Sequence, residues 1–333
     1  MFASSYTQYG SPDVLELIEL PTPAPKSNDI LVQIVATTVS AGDWRARSLT
    51  MPKGLGLVGR LVFGITGPRK QILGTEFSGV VVAKGADVTN FEIGDAVVGF
   101  PGASFGAHAE FITVPANGKV VRKPDNLSFE DAAAIPFGAT TAYDFLVNKT
   151  KLQKGQTVLI NGASGAVGSA CVQIAKHIGA HVTAVCSGRN VALVKEIGAD
   201  KVINYREQSV ISPTDTYDVV VDTVGTLSWA QAQHCIKVGG KMVLIAGKTS
   251  DMIFGGIKAK LAGKTMIGGV ASEAPDILAA VVQLAAQANY RPVIDRVFAF
   301  DDMQAAHAHV DTGRKRGNVL ITVAQPSNIE IVA

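Results

Sequence analysis

Residues 156–205 carry the residue types and spacing with the clearest chemistry. Gln156–Asn161 is a short apolar run. Gly162-Ala163-Ser164-Gly165-Ala166-Val167-Gly168 follows it directly, and apolar residues at helical spacing continue to Ile178. A strand that feeds a glycine turn and a helix N-terminus aims backbone N–H groups and the positive end of the helix dipole at a pyrophosphate. Gly165 lets the backbone approach the phosphates, and Gly168 lets the helix pack closely on the strand. A second apolar run, His181–Cys186, follows in register, so the unit reads as a dinucleotide site. The bland alternative is a glycine turn that serves packing alone.

The same stretch chooses between dinucleotides. An NAD site usually places Asp or Glu about 20 residues past the glycines, to hold the ribose 2′-hydroxyl. Here no acidic residue occurs between Ser169 and Lys195, and the second run ends in Cys186-Ser187-Gly188-Arg189-Asn190. Ser187 can donate to a 2′-phosphate, Arg189 can pair with it through its planar fork, and Tyr205 adds a phenolic donor. NADPH is therefore the expected cofactor. The competing reading makes Arg189 a solvated residue at a helix start.

The elements that position these groups divide the chain. Residues 1–125 read as β-rich, with runs at Asp29–Val39, Phe77–Lys84, Ala96–Phe100 and Ala109–Val114 between Gly, Pro and Asp punctuation. Helices are expected at Ser128–Ile135, with Ser128 as N-cap, and at Thr140–Asn148. Beyond the glycine turn come Tyr217–Asp222, helix Ser228–Cys235, Lys241–Ala246 and Lys264–Val270. That alternation predicts a parallel, doubly wound sheet and an α/β fold. Pro275–Asn289 reads as an amphipathic helix, and Arg291–Val323 as strands around a small helix at Asp301–Val310.

Composition removes several classes. The chain has 333 residues, 17% charged and 47% apolar, with a formal net charge of +2. That is long enough for two domains, and lacks the basic stripe expected of a nucleic-acid protein. The opening MFASSYTQYG has no basic, then apolar, leader pattern, and no run of 18 apolar residues occurs. A cytoplasmic protein is expected. Cys171, Cys186 and Cys235 fit neither a disulfide framework nor a metal knuckle, and read as buried thiols.

One segment breaks the pattern. Between Asp43 and Glu76 there is no acidic residue, whereas Arg45, Arg47, Lys53, Arg60, Arg69 and Lys70 are basic. Its middle, Met51–Gln71, is apolar and punctuated by glycine. Three readings stand: a substrate-lining lid that is poorly ordered without ligand, a short surface helix, or a loop of no consequence.

Taken end to end, the chain resembles the medium-chain dehydrogenase/reductase superfamily, in its zinc-free quinone-oxidoreductase-like branch. The resemblance rests on YGSPDVLEL, PTPAPKSNDILVQIVATTVSAGDWRAR, LGTEFSGVVVAKGADVTNFEIGDAVVG, AAAIPFGATTAYDFL, NGASGAVGSACVQIAKHIGA, VDTVG and RGNVLITV. The CSGRN ending and the basic insert are most similar to the subgroup that includes plant chloroplast-envelope quinone oxidoreductase homologues. The resemblance implies a GroES-like β-barrel catalytic domain, residues 1–126 and 271–333, with a Rossmann NADPH-binding domain, residues 127–270, and substrate between them. It places Thr141, Val224, Gly225, Ala246 and Gly247 near the nicotinamide side, with Asn318 where the tail returns. It also implies a homodimer, in which the last Rossmann strand, Lys264–Val270, pairs with its twin.

Departures from the zinc-dependent members of that superfamily carry equal weight. Those place Cys where this chain has Ser40, His where it has Thr75, and Cys near Phe137. Their four-Cys lobe after Asp95 is missing as well. Zinc needs three or four converging N, S or O ligands, which Glu76 alone cannot supply, so no metal is expected. Without a Lewis acid, reduction of an activated acceptor is the easier reaction, because the charge lands on a conjugated oxygen that needs only hydrogen-bond donors. Ser40, Asp43 and Arg47 are the catalytic candidates, although the branch often has Asn at the Ser40 position. Asp43 has a competing reading, bracing its loop by pairing with a basic neighbour. His108 reads as structural or surface.

The leading reading is an NADPH-dependent reductase of a small-molecule acceptor, a quinone or an α,β-unsaturated carbonyl compound. A second is reduction of one metabolic enone or enoyl thioester, its anionic handle held by the basic residues. A third is an NADPH-binding regulatory or membrane-associated protein whose insert touches anionic lipid.

Overall fold

The computed structural model describes residues 1–51, 56–212, 214–247 and 249–325. The chain forms two compact units. One comprises Met1–Met51, Gly56–Phe137 and the chain from Glu273 onward; the other is Gly138–Ser272.

The first unit is built on Asp29–Thr38. Its sequence DILVQIVATT is apolar on both faces, and nine of its ten residues are buried. It pairs antiparallel with Phe77–Lys84 on one side, and with Phe111–Pro115 and Asn318–Thr322 on the other. The path continues to Ile294–Ala299 at one end, and through Ala96–Gly99 to Val120–Arg122 at the other. Register shifts at Leu31/Val32 and Ile34/Ala36 bend the central pair. Among the described residues, no pairing joins the two end strands. Ile30, Val32, Ile34, Phe77, Val81, Val97, Ile112 and Val114 fill one core of this unit. A second core gathers Leu15, Val39, Leu73, Phe105, Val319 and Ile321 with Met303, Ala306 and Val310 of the helix Met303–Asp311.

The second unit is a six-stranded, wholly parallel sheet. Its order is Lys201–Asn204, His181–Cys186, Thr157–Asn161, Tyr217–Asp222, Ile236–Leu244, Thr265–Gly268. The first strand in sequence lies in the middle, so winding reverses between Thr157–Asn161 and Tyr217–Asp222. Ligands of such sheets bind outside the carboxyl ends of the strands at this switch point. The two central strands, Thr157–Asn161 and Tyr217–Asp222, are apolar runs buried on both faces, as parallel sheets require.

Several elements differ from their sequence reading. The helix expected over Thr140–Asn148 begins at Pro136, runs to Tyr143, and continues as a wider π turn over Asp144–Lys149. Asp144 accepts from Ser272 N at 2.8 Å and pairs with Lys149, which fixes that turn within the unit. The Ser228–Cys235 helix is an α turn followed by a 3-10 turn, opened by a Ser228–Gln231 capping box. Ala41–Ser48 and Thr249–Leu261 are helices that periodicity did not reveal. In the basic insert, Gly56–Phe63 is helical. The expectation of poor order there falls in part on residues 52–55, outside the described residues. Among the described residues, no helix is long and apolar enough to cross a membrane.

Candidate functional site

In the second unit the Thr157–Asn161 strand ends on Gly162, whose φ of 81° lets the chain turn sharply into the next helix. A Cβ on Gly168 would lie 2.1 Å from Gly162 O, so only glycine lets the helix Ala166–Ile178 sit this close to the strand. Its N-cap is Gly165, and no side chain caps the first turn. A Cβ on Gly165 would meet only Gly162 O, at 3.6 Å, so the space over the turn is open. Backbone N–H groups, an unshielded helix terminus and open space together suit an anionic pyrophosphate. Ala163, Ser164, Ala166 and Val167 complete this turn.

Beside it, the switch point is cross-braced. Asn161 Nδ2 donates to Asp222 Oδ1 at 2.9 Å, joining the carboxyl ends of the two central strands. Asp222, fully buried, also accepts from Val224 N at 3.1 Å, Gly225 N at 3.0 Å and Leu227 N at 2.9 Å. Burial raises its pKa, and these bonds oppose the rise. The carboxylate thus holds the 223–227 turn in place while the Val224 side chain stays exposed. Gly225 abuts Ala246, where a Cβ would fall 2.5 Å from Ala246 O, and Gly247 follows. Gly138 abuts Ala166 in the same way, at 2.8 Å, which brings the helix Pro136–Tyr143 against the start of the glycine-turn helix. Thr141 lies three residues on from Gly138, along the same face.

The second strand closes the third side. Ser187 is buried after Cys186, and Arg189 is exposed on the 3-10 turn Gly188–Asn190. Tyr205 N donates to Cys186 O at 3.2 Å, so the exposed phenol stands next to that strand end. Ser187, Arg189 and Tyr205 therefore share one corner, and the stretch Ser187–Asn190 at the strand end contains no acidic residue. Asn190, not singled out by its sequence, joins this corner to the glycine turn: its Nδ2 donates to Ser164 Oγ at 2.9 Å.

The first unit holds a different cluster. Ser40 caps the helix Ala41–Ser48, accepting from Gly42 N and Asp43 N, and donates to Asp43 Oδ2 at 2.6 Å. Asp43, fully buried, accepts from Ser40 N and from Gly74 N, both at 2.8 Å. It braces its surroundings as one reading held, but through backbone amides and not a basic neighbour. Thr75 Oγ1 donates to Ser40 Oγ at 3.1 Å. Glu76 next to it accepts from Thr38 Oγ1 and, at 2.5 Å, from Phe137 N. Burial pushes the Glu76 carboxyl up to about 8, and burial pulls the half-buried Lys315 ammonium down to about 8.

Ser40, Thr75, Glu76 and Phe137 thus converge, but offer two hydroxyls, one carboxyl and a phenyl ring. Among the described residues, no group of three or more His, Cys, Asp or Glu side chains is placed to hold a metal ion. Arg47 is fully buried and donates to Gly10 O at 3.0 Å and to Asp311 Oδ1. It clamps its helix to the Met303–Asp311 helix, and its Nε is buried without a hydrogen-bond partner among the described residues. Asn318 is buried, its Nδ2 donating to Val293 O at 3.1 Å at the start of its strand. His108 is buried, with Nε2 2.9 Å from Thr38 O and its ring edge-on to His307. The three cysteines are buried and unpaired, with thiol pKa values raised by burial.

Two family models match: the alcohol dehydrogenase GroES-like domain over residues 26–125, and the zinc-binding dehydrogenase over residues 197–321. The chain is 32% identical to 2-methylene-furan-3-one reductase of Solanum lycopersicum, over 96% of this chain and 79% of that protein. It is 31% identical to the chloroplastic quinone-oxidoreductase homolog of Spinacia oleracea, over 96% of this chain and 98% of the relative. The structure of the quinone oxidoreductase from Coxiella burnetii superposes with a TM-score of 0.85 at 31% identity, covering 97% of this chain and 99% of that one.

Proposed function

This chain belongs to the medium-chain dehydrogenase/reductase superfamily, in the quinone-oxidoreductase-like branch related to the plant chloroplast homologues, and we propose that it is an NADPH-dependent, zinc-independent reductase of quinones or α,β-unsaturated carbonyl compounds. The observation that carries the cofactor choice is the corner at the end of His181–Cys186. Ser187, Arg189 and Tyr205 gather there, and no carboxylate stands against a 2′-phosphate. The glycine turn takes the pyrophosphate on its N–H groups, and Val224, Gly225, Ala246, Gly247 and Thr141 line the nicotinamide side. When bound, the reduced nicotinamide supplies a hydride.

The zinc-independent part rests on the donor set in the first unit. Two hydroxyls and a carboxyl whose pKa is raised by burial are poor ligands for zinc, which favours thiolate and imidazole. Thr75 ends the hydrogen-bond chain Thr75–Ser40–Asp43, so its hydroxyl can turn from Ser40 to an acceptor oxygen as charge develops there. Asp43 acts by orienting Ser40, and the curved sheet serves as the barrel half of the family fold. The names of the tomato and spinach relatives, a furanone reductase and a quinone-oxidoreductase homolog, support this acceptor class. The test is NADPH oxidation by chelator-treated protein against quinones, enones, enoyl thioesters and, in reverse, simple alcohols. Turnover of quinones or enones without metal supports the reading, and activity confined to alcohols with retained zinc overturns it.

A membrane-surface role has one observation in its favour. Leu61, Val62 and Ile65 are exposed beside exposed Arg60, Arg69 and Lys70, a pairing that suits anionic lipid. Co-sedimentation with anionic vesicles, with and without residues 51–71, decides it. The edge strand Thr265–Gly268, paired on one side only and flanked by exposed Leu261 and Val270, supports a homodimer, which light scattering tests.

A further inference from the structure

We propose that Asn190 is a specificity residue for the nucleotide, whose side-chain carbonyl accepts a hydrogen bond from the ribose 3′-hydroxyl beside the 2′-phosphate. This rests on the NADPH reading above and adds to it a contact of opposite polarity.

Asn190 stands at the N-cap of the helix Val191–Glu196, a position where asparagine ordinarily bonds to the helix's own amides. Its side chain makes no such bond. The residue is 4% exposed, its N donates to Ser187 O at 2.9 Å, and its Nδ2 reaches across to Ser164 Oγ at 2.9 Å. Its Oδ1 is buried and has no hydrogen-bond partner among the described residues. A buried acceptor left unmade is costly, and such groups in native proteins have a reason. This one sits between the glycine turn, at the open N-terminus of a 13-residue helix, and the strand end where this fold holds the adenosine ribose.

The chemistry of the atom selects its ligand. A carbonyl oxygen only accepts, whereas pyrophosphate and 2′-phosphate oxygens are themselves acceptors. The ribose 3′-hydroxyl, next to the 2′-phosphate, is a donor. In NAD sites a carboxylate takes the ribose hydroxyls, but beside a dianionic phosphate its charge would repel. A neutral amide accepts the same bond without that repulsion. The Nδ2 bond occupies a lone pair of Ser164, which leaves the Ser164 hydroxyl hydrogen to donate to a phosphate oxygen. The corner then reads as donors for the phosphate, from Ser187 and Arg189, and one neutral acceptor for the hydroxyl.

The experiment is equilibrium titration of the full-length protein with NADP⁺, 3′-deoxy-NADP⁺ and NAD⁺, followed by calorimetry. The wild type should bind NADP⁺ about tenfold tighter than 3′-deoxy-NADP⁺. Asn190→Ala should weaken NADP⁺ by about the same factor, leave the 3′-deoxy compound unchanged, and so abolish the discrimination. Asn190→Asp keeps the acceptor and adds charge, so it should lower the NADP⁺ to NAD⁺ affinity ratio. Equal wild-type affinity for NADP⁺ and its 3′-deoxy form, which requires no variant to fold, overturns the assignment. So does discrimination that survives in Asn190→Ala. Equal binding of NAD⁺ and NADP⁺ with the 3′-hydroxyl effect intact instead overturns the 2′-phosphate reading.

Discussion

The two units each bury a carboxylate that gathers backbone amides, yet they put it to different ends. Asp222 accepts from Val224 N, Gly225 N and Leu227 N, and holds open a turn whose Val224 side chain is exposed. Asp43 accepts from Ser40 N, Ser40 Oγ and Gly74 N inside a cluster whose members are all buried. In the second unit the bracing leaves backbone N–H groups and exposed side chains available at the proposed nucleotide site. In the first, the polar groups are satisfied by one another, and only the end of a hydroxyl chain is left to act. The proposed nucleotide site therefore draws on several separate features of the second unit, whereas the proposed acceptor chemistry of the first draws on the Thr75 hydroxyl.

The largest effect should come from removing these carboxylates. Asp43→Ala strands three buried donors and Asp222→Ala four donors, two of them buried, and each should lose on the order of 3 kcal/mol in urea unfolding. They should part company in nucleotide titration. Asp222→Ala should weaken NADPH binding sharply, and Asp43→Ala should leave it intact. Unchanged NADPH affinity in Asp222→Ala would break the comparison.

Next is a pH effect confined to the first unit. Glu76 is raised by burial from 4.5 to about 8, so its contribution is fully present below pH 4.5 and is lost as pH rises through 8. Thr38, Phe137 and Lys315 act against that rise, and Asp43 adds to it. Lys315 is lowered by burial from 10.5 to about 8, against Glu76 and Asp295, so its contribution is present above 10.5 and lost as pH falls through 8. Between them these groups pull Tm down toward a minimum near pH 8. Glu76→Gln should flatten the limb from pH 5 to 8, and Lys315→Met the limb above 8. A Glu76→Gln profile parallel to wild type from pH 5 to 8 contradicts the assignment.

In the second unit, Arg189→Ala should reduce the preference for NADPH by about tenfold, roughly 1.4 kcal/mol, with NADH affinity nearly unchanged. An equal loss for both nucleotides would show that Arg189 acts on the fold, not on the 2′-phosphate. The smallest effect is expected from the insert. Shortening Met51–Gln71 should raise the acceptor KM a few-fold and leave NADPH affinity alone, since the proposed glycine-turn and 2′-phosphate contacts lie in the other unit. Unaltered kinetics with small and large acceptors would make the segment a surface loop.

The same contrast explains what could be read from the residues. The glycine turn was legible because its backbone demands glycine at Gly162 and Gly168, and the parallel sheet because Val-rich runs alternate with helical spacing. The Ser40–Asp43 cap is legible too, since serine followed three residues later by an acid is a helix-start pattern, although the sequence reading makes Asp43 a catalytic candidate with loop bracing as its competing role. Nothing in the spacing around Arg47 points to its partner, Asp311, which lies 264 residues away in sequence. The Asn190–Ser164 bond is hidden for a like reason: only the fold brings the two residues together, and N-capping is the obvious local use of asparagine there. Contacts made by backbone geometry announce themselves in composition and spacing, whereas contacts made by side chains across the fold do not.

The most direct test of the central claim is titration of the wild-type protein with NADPH and NADH under identical salt, followed by nucleotide fluorescence. The corner of Ser187, Arg189 and Tyr205, without a carboxylate, predicts that NADPH binds at least about tenfold tighter. Equal affinities, or tighter binding of NADH, would contradict it.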